Sequence, residues 1–359
     1  MILDLIRYLT MLFIVSFVFN MSVKFKDKSK IKYNLLFYFS LMIVTLFIGL
    51  RYNVGTDFES YTKIYYKIIN LNLISYFDYN IEIGHYIICK IANILFDNSY
   101  GMMIIYAFFT NFFVMKAIEK LTKKKYWLSY LIYGLTFLPF ACNGIRQGLS
   151  MAIILYAFTF FNENKYIKFY LFILIAFLFH KSSIIIVPYS LIGMVFKNKD
   201  REYRYYILIT ILIMALLFSE NIFNFSIFNE YISYLNYKST AGILKAFYKF
   251  PPVIFALYSL IYKSNDEQKI NEHFLAVFVI IGYLLMLIGF KLNYVDRVSL
   301  YFEQFVIFLI PNIIYKSKYK FNKFAILIFS LIYYLILFYI NIYIHGYYDF
   351  FPYNFISFK

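Results

Sequence analysis

Apolar runs recur along this chain at a spacing no water-soluble fold can accommodate. Cut at its charged and polar clusters, the sequence leaves the apolar segments 2–20, 33–50, 101–115, 126–142, 148–161, 168–180, 183–196, 205–218, 246–262, 274–290, 298–315 and 324–345. About 20 apolar residues cross a bilayer core, and a helix can do so because it satisfies its own backbone polar groups where water is absent. Only 15% of the residues are charged and 62% are hydrophobic, whereas soluble domains carry about a quarter charged residues. Too little polar sequence remains to cover a soluble core. The expected fold is an all-α polytopic integral membrane protein with about 12 transmembrane helices plus interfacial helices, forming a single membrane domain over 1–359. The stretch 83–96 is apolar but interrupted by His85, Lys90 and Asn93. It reads as a half-inserted or surface helix.

The loops 24–32, 116–125, 162–168, 197–204, 263–272 and 316–323 hold 22 of the 35 Lys and Arg residues. They alternate along the chain as cytoplasmic loops should. A full crossing by 83–96 would force Lys116 to Lys125 onto the side opposite Lys24 to Lys32, so the charge bias favours half-insertion. Both termini then lie outside the cytoplasm. The net charge of +16 reads as a topology signal, with the lipid bilayer and not nucleic acid as the partner. The first apolar segment has no cleavage pattern and reads as a retained span. Cys89 and Cys142 show no metal-ligand spacing, so neither a metal site nor a disulfide framework is indicated. Abundant Ile, Phe, Tyr, Lys and Asn suit an AT-rich bacterial coding sequence. The two longest non-cytoplasmic segments, 51–100 and 219–245, are rich in Tyr, Phe and Asn, as interfacial helices are.

Ionisable residues inside or beside apolar segments cost roughly 2.5–3.5 kcal/mol at mid-bilayer and so mark functional hypotheses. Under this layout Arg51, Asp57, Glu82, His85, Arg146, His180, Lys181, Lys291, Asp296 and Arg297 all fall at non-cytoplasmic span ends. Gly55 permits a tight turn that would set Arg51 near Asp57; alternatively Arg51 ends a span at the headgroups and Asp57 caps the next helix. Arg146 sits in the first turn of the span beginning near Gly148, where free N–H groups and a guanidinium fork suit phosphate oxygens. His180 and Lys181 close a span, either as interfacial residues or as a second donor and a proton carrier. Asp296 and Arg297 open a later span, where a local ion pair is the plain alternative. Together the set would bind an oxyanion at the outer leaflet.

Five motifs carry a resemblance. The runs Arg51…Gly55-Thr56-Asp57…Tyr61, Glu82-Ile83-Gly84-His85-Tyr86, Asn143-Gly144-Ile145-Arg146-Gln147, Phe179-His180-Lys181-Ser182 and Arg297…Tyr301-Phe302 together resemble the EpsG family of bacterial polysaccharide polymerases, grouped with the Wzy-type O-antigen and capsule polymerases. The similarity is densest from about 40 to 195 and thins until Arg297. Ile83 stands where the family often has Pro, a departure in that turn.

The resemblance implies a GT-C-like membrane glycosyltransferase, multi-pass in the bacterial cell (inner) membrane, working on its non-cytoplasmic face without a metal or other cofactor. It would join polyprenyl-diphosphate-linked oligosaccharide units, generally with inversion, alongside a flippase and a chain-length regulator. Arginines would replace a metal on the departing diphosphate: at roughly 4 Å and an effective dielectric near 20, one ion pair contributes about 4 kcal/mol before desolvation. Arg146 and Arg297, assisted by His180, are assigned to the diphosphate. Asp57 is the first choice of general base and Glu82 the second. Arg51 would orient Asp57 and His85 would line the acceptor pocket, with Gln147, Lys181 and Tyr301 as further substrate-binding residues. Tyr231, Tyr234 and Tyr237 could stack on sugars or simply pack at the interface.

Three other classes compete. A transporter or flippase would favour repeats and ionisable residues at the bilayer midplane, whereas here they sit at one rim. An O-acyltransferase would want a His deep in a helix. A ligase needs the same diphosphate site and is not separated from a polymerase by these motifs.

Overall fold

The computed structural model describes residues 1–72, 81–196, 242–261, 269–289 and 293–356. The expected span 205–218, Lys291 and the tyrosines at 231, 234 and 237 lie outside these residues. The described chain is almost wholly helical and packs as two units, Met1–Lys181 with Tyr319–Lys359, and Ser182–Lys318.

In the first unit, helices α1 (Ile2–Phe25), α2 (Lys30–Gly49), α3 (Phe58–Ile69), α4 (Ile83–Phe96), α5 (Ser99–Leu121), α6 (Tyr126–Thr136), α7 (Leu138–Asn143), α8 (Ile145–Asn162) and α9 (Tyr166–Phe179) follow one another. α1 packs on α2, α2 on α5, α5 on α8, and α8 on α9. Their outward faces are apolar: α1 exposes Ile6, Phe13, Ile14 and Phe17 while burying Ser16, Asn20 and Ser22. That inversion of the soluble pattern is what lipid as the surrounding solvent selects.

The second unit contains α10 (Ile186–Phe196), α11 (Gly242–Tyr248), α12 (Pro251–Ile261), α13 (Lys269–Ile288), α14 (Asn293–Glu303) and α15 (Val306–Lys316). Its core is aromatic, with Phe278 against Phe302 and Phe305 at ring separations of 5.2 and 4.9 Å. The chain then returns to the first unit with α16 (Lys320–Phe338).

Among the described residues, five apolar helical stretches are long enough to cross a bilayer: Ile2–Phe25, Lys30–Gly49, Ser99–Leu121, Val295–Lys316 and Lys320–Ile344. The chain is an all-α, multi-pass membrane protein. One expected span is broken, and another is kinked within a stretch still long enough to cross. The run 126–142 becomes α6 and α7, because Pro139 has no N–H to continue the helix and its ring disfavours the helical conformation before it. The run 298–315 becomes α14 and α15, which meet at Gln304 and Phe305 without a proline to announce it. The helix expected over 83–96 forms over just those residues. At 1.5 Å per residue its 14 residues span about 21 Å, short of a bilayer core of about 30 Å.

The ends of the first unit's helices are sorted. Lys26 Nζ lies 2.7 Å from Glu119 Oε1 and Lys120 Nζ lies 3.3 Å from Glu163 Oε1, so the loops 24–32, 116–125 and 162–168 share one end. The opposite ends of α2, α5, α8 and α9 carry Arg51, Met103, Arg146 and His180.

At that second end Arg51 is 1% exposed. Its Nη1 donates to the Ile48 carbonyl at 2.8 Å, Nη2 to the Cys142 carbonyl at 2.7 Å and Nε to the Val54 carbonyl at 3.4 Å. Ile48 and Cys142 lie in the last turns of α2 and α7. The negative ends of two helix dipoles therefore balance the buried guanidinium. The expected pairing of Arg51 with Asp57 is corrected by this geometry: its fork goes to backbone carbonyls at the ends of α2 and α7 and in the turn that follows α2. Two short strands, Arg51–Tyr52 and Asn354–Phe355, pair antiparallel beside it, and Tyr353 donates its hydroxyl to the Phe47 carbonyl at 2.9 Å.

Replacing Arg51 abandons these carbonyls, each at a cost of about 1–3 kcal/mol. Arg51→Met is expected to lower the thermal midpoint in detergent strongly. Arg51→Lys is expected to recover only part of the loss, because an ammonium lacks the planar fork. Full stability of the lysine variant would contradict this role.

Candidate functional site

Glu82 precedes α4 in extended conformation, with φ −66° and ψ 137°. Two residues on, Gly84 admits a close approach to α9: a Cβ there would stand 2.7 Å from both the Leu178 carbonyl oxygen and the Phe179 ring. That contact brings the start of α4 to the end of α9, and so Glu82 to His180. His180 Nδ1 lies 3.1 Å from Glu82 Oε1, and Arg146 Nη1 binds Glu82 Oε2. One carboxylate thus bridges two basic groups from the first turn of α8 and the end of α9. The side chains of Glu82, Arg146 and His180 are 10%, 25% and 27% exposed, so the cluster is sheltered yet open to small groups.

Beneath it lies an aromatic support. The Arg146 guanidinium sits over the Tyr61 ring at 5.7 Å, a cation–π arrangement. Tyr61 meets His85 edge-on at 5.7 Å, and His85 Nδ1 pairs with the Tyr106 hydroxyl at 2.8 Å. His85 is fully buried. It therefore backs the cluster from within. Burial raises the Tyr61 hydroxyl's pKa, Arg146 opposes the rise, and Asp57 and Glu82 add to it. Tyr61 thus feels all three charged groups.

Asp57 enters from the turn after Arg51. Gly55 has φ +103°, which its lack of a Cβ permits. Its N–H donates to the Asp349 carbonyl at 3.2 Å, and the Thr56 N–H donates to the Tyr348 carbonyl at 3.2 Å. Asn143 Oδ1, three residues before Arg146, accepts from the Thr56 hydroxyl at 2.9 Å and the Asp57 N–H at 3.0 Å. Asp57 stands at the N-cap of α3 but makes no side-chain cap bond. Among the described residues its carboxylate receives only a long contact of 3.4 Å from the Thr56 hydroxyl, and it is half-exposed.

Gln147 is buried, 4% exposed. Lys181 is exposed beside His180. Arg297 and Tyr301 belong to the second unit. There Arg297 is exposed, while Tyr301 is fully buried and accepts from the Ser182 hydroxyl at 3.3 Å. Asp296 pairs with Lys245 at 2.7 Å, in place of the local pair with Arg297. Tyr61 and Asn143 stood inside recognisable motifs without a role. Their side chains gain one only through partners that are distant in sequence.

A family model described as the EpsG family matches residues 34–355. The chain belongs to the EpsG family. Neither a curated protein nor a solved structure matches it. All five motifs fall within the matched residues, and three of them supply the Glu82, Arg146 and His180 cluster.

Burial would raise the Glu82 carboxyl, but the His180 hydrogen bond and the Arg146 charge outweigh it and hold the pKa down to about 2, from an ordinary 4.5. The bridge then adds on the order of 3 kcal/mol to stability above pH 4.5, lost as pH falls toward about 2. Glu82→Gln is expected to lower the thermal midpoint at pH 7. The gap between the two proteins is expected to close as pH drops through that window. A gap independent of pH would count against the bridge.

Proposed function

We propose that this protein is a polysaccharide polymerase that joins oligosaccharide repeat units carried on polyprenyl diphosphate, at the non-cytoplasmic face of a bacterial cell (inner) membrane. The observation that carries the reading is the convergence of Arg146 and His180 on one carboxylate, at the helix ends opposite the lysine-rich loops, in a member of the EpsG family.

Glycosyl transfer from a lipid diphosphate needs donors for the oxygens that gather charge as the C–O bond breaks. In this reading Arg146 supplies a planar fork at a helix N-terminus, and His180 supplies a second donor through a ring N–H. The acceptor hydroxyl attacks the anomeric carbon opposite the leaving diphosphate, inverting that centre. Its proton passes to Asp57, whose backbone N–H is held by Asn143 at the end of α7, just ahead of the Arg146 helix, and whose carboxylate has no strong partner among the described residues. Glu82, held by two basic groups, is the poorer proton acceptor. About twelve spans in a GT-C-like arrangement would present this rim to the outer leaflet, where a flippase delivers donor and acceptor and a chain-length regulator acts on the product.

Two measurements follow. Arg146→Ala is expected to cut polymer formation about 10²–10³-fold, as loss of an oxyanion donor does, and Asp57→Asn about 10²–10⁴-fold, as loss of a general base does. Surface glycan length in the host, at equal protein level, reads both; long-chain glycan from either variant would remove that residue from the mechanism. For the membrane face, single cysteines at Asn53 and Lys124 are expected to react with an impermeant thiol reagent from outside the cell and only after lysis, respectively. Labelling in the reverse order would overturn the sidedness.

A further inference from the structure

The groups best suited to take an anion are already occupied. Arg146 Nη1 and His180 Nδ1 each hold a different oxygen of the Glu82 carboxylate, which is how two donors would share neighbouring oxygens of a phosphate. We propose that Glu82 is an internal counter-ion which the incoming diphosphate displaces, so that the site is loaded by anion exchange. This rests on the diphosphate reading of the site.

Three features of the cluster support exchange. Bare cationic groups in a sheltered site are costly, and an internal carboxylate offsets that cost while no substrate is bound. A lipid diphosphate brings more negative oxygens than one carboxylate, so it outcompetes Glu82 once local, whereas singly charged headgroups gain little. Glu82 is also free to leave. It precedes α4 in extended backbone and makes no side-chain cap bond to that helix, so rotation of its side chain releases it without disturbing the helix. The basic groups meanwhile stay fixed: Arg146 by the Tyr61 ring beneath it, and the end of α9 by the close approach at Gly84. Arg146 Nε is a further donor without a hydrogen-bond partner among the described residues.

The test is binding of farnesyl diphosphate to the full-length protein in detergent, with inorganic pyrophosphate in parallel to separate recognition of the lipid from recognition of the phosphates. Removing the competitor in Glu82→Gln is expected to tighten binding about tenfold, or ~1.4 kcal/mol, with polymer formation no higher. Glu82→Asp keeps the charge but withdraws it by one methylene, and is expected to fall between the two. Arg146→Ala is expected to lose binding in every background. Binding by Glu82→Gln no tighter than by the unmodified protein would overturn the exchange. So would tightening in Glu82→Gln with Glu82→Asp unchanged, because that pattern needs only repulsion at a distance. Both outcomes leave the diphosphate reading standing if Arg146→Ala still abolishes binding. Binding that is absent throughout, or indifferent to Arg146, would overturn the reading and the exchange together.

Discussion

A guanidinium sealed inside the protein, that of Arg51, sets the geometry of the functional rim. Desolvating it is tolerable only because the carbonyl ends of α2 and α7 and the Val54 carbonyl converge on it. Meeting that demand draws the end of α2, the turn 51–57 and the end of α7 together. The turn carries Asp57, and α7 ends at Asn143 and leads through Gly144 into the α8 turn that bears Arg146. One buried charge thereby registers two segments of the candidate site, with Arg51 and Cys142 standing 91 residues apart in the chain.

On that frame the site is built from opposed charges held in partial shelter. Glu82 comes from the start of a helix too short to cross the bilayer, Arg146 from the first turn of α8 and His180 from the end of α9. Chain ends that converge at one level are where a bilayer protein can hold ionisable groups next to headgroups without burying them at mid-membrane. The aromatic layer of Tyr61, His85 and Tyr106 beneath them fixes the guanidinium while leaving its outer side accessible. Fixed donors of this kind are suited to stabilising an anion.

Much of this was legible in the sequence because bilayers impose simple rules. The apolar run 83–96 has the bounds of the helix that forms there. Shared sidedness of the loops 24–32, 116–125 and 162–168 followed from charge bias and reappears in the Lys26–Glu119 and Lys120–Glu163 pairs. Placement of Arg146 in a first helical turn also followed from the run of residues around it. Partners were not legible. Arg51 and Asp57 are close in sequence, so a pair between them stood beside a span-ending Arg and a capping Asp as readings, yet an Arg beside two helix ends is better satisfied by carbonyls. The Glu82–Arg146 bridge spans 64 residues, and charges on one rim can pair in many ways until the helices are packed. His85, polar in an otherwise apolar run, read as a pocket residue, and its bond to Tyr106 also makes it part of the support. The kink between α14 and α15 had no proline or glycine to announce it.

The central claim is that this protein forms glycosidic bonds at the expense of a lipid diphosphate linkage. Purified protein reconstituted in liposomes with a synthetic lipid-diphosphate-linked repeat unit tests it directly, scored for glycan length and for free polyprenyl diphosphate. The account predicts a ladder of products, with one polyprenyl diphosphate released for each bond formed, and neither from Arg146→Ala. Movement of the intact lipid-linked unit across the bilayer without ladder or release would contradict it and identify a transporter instead.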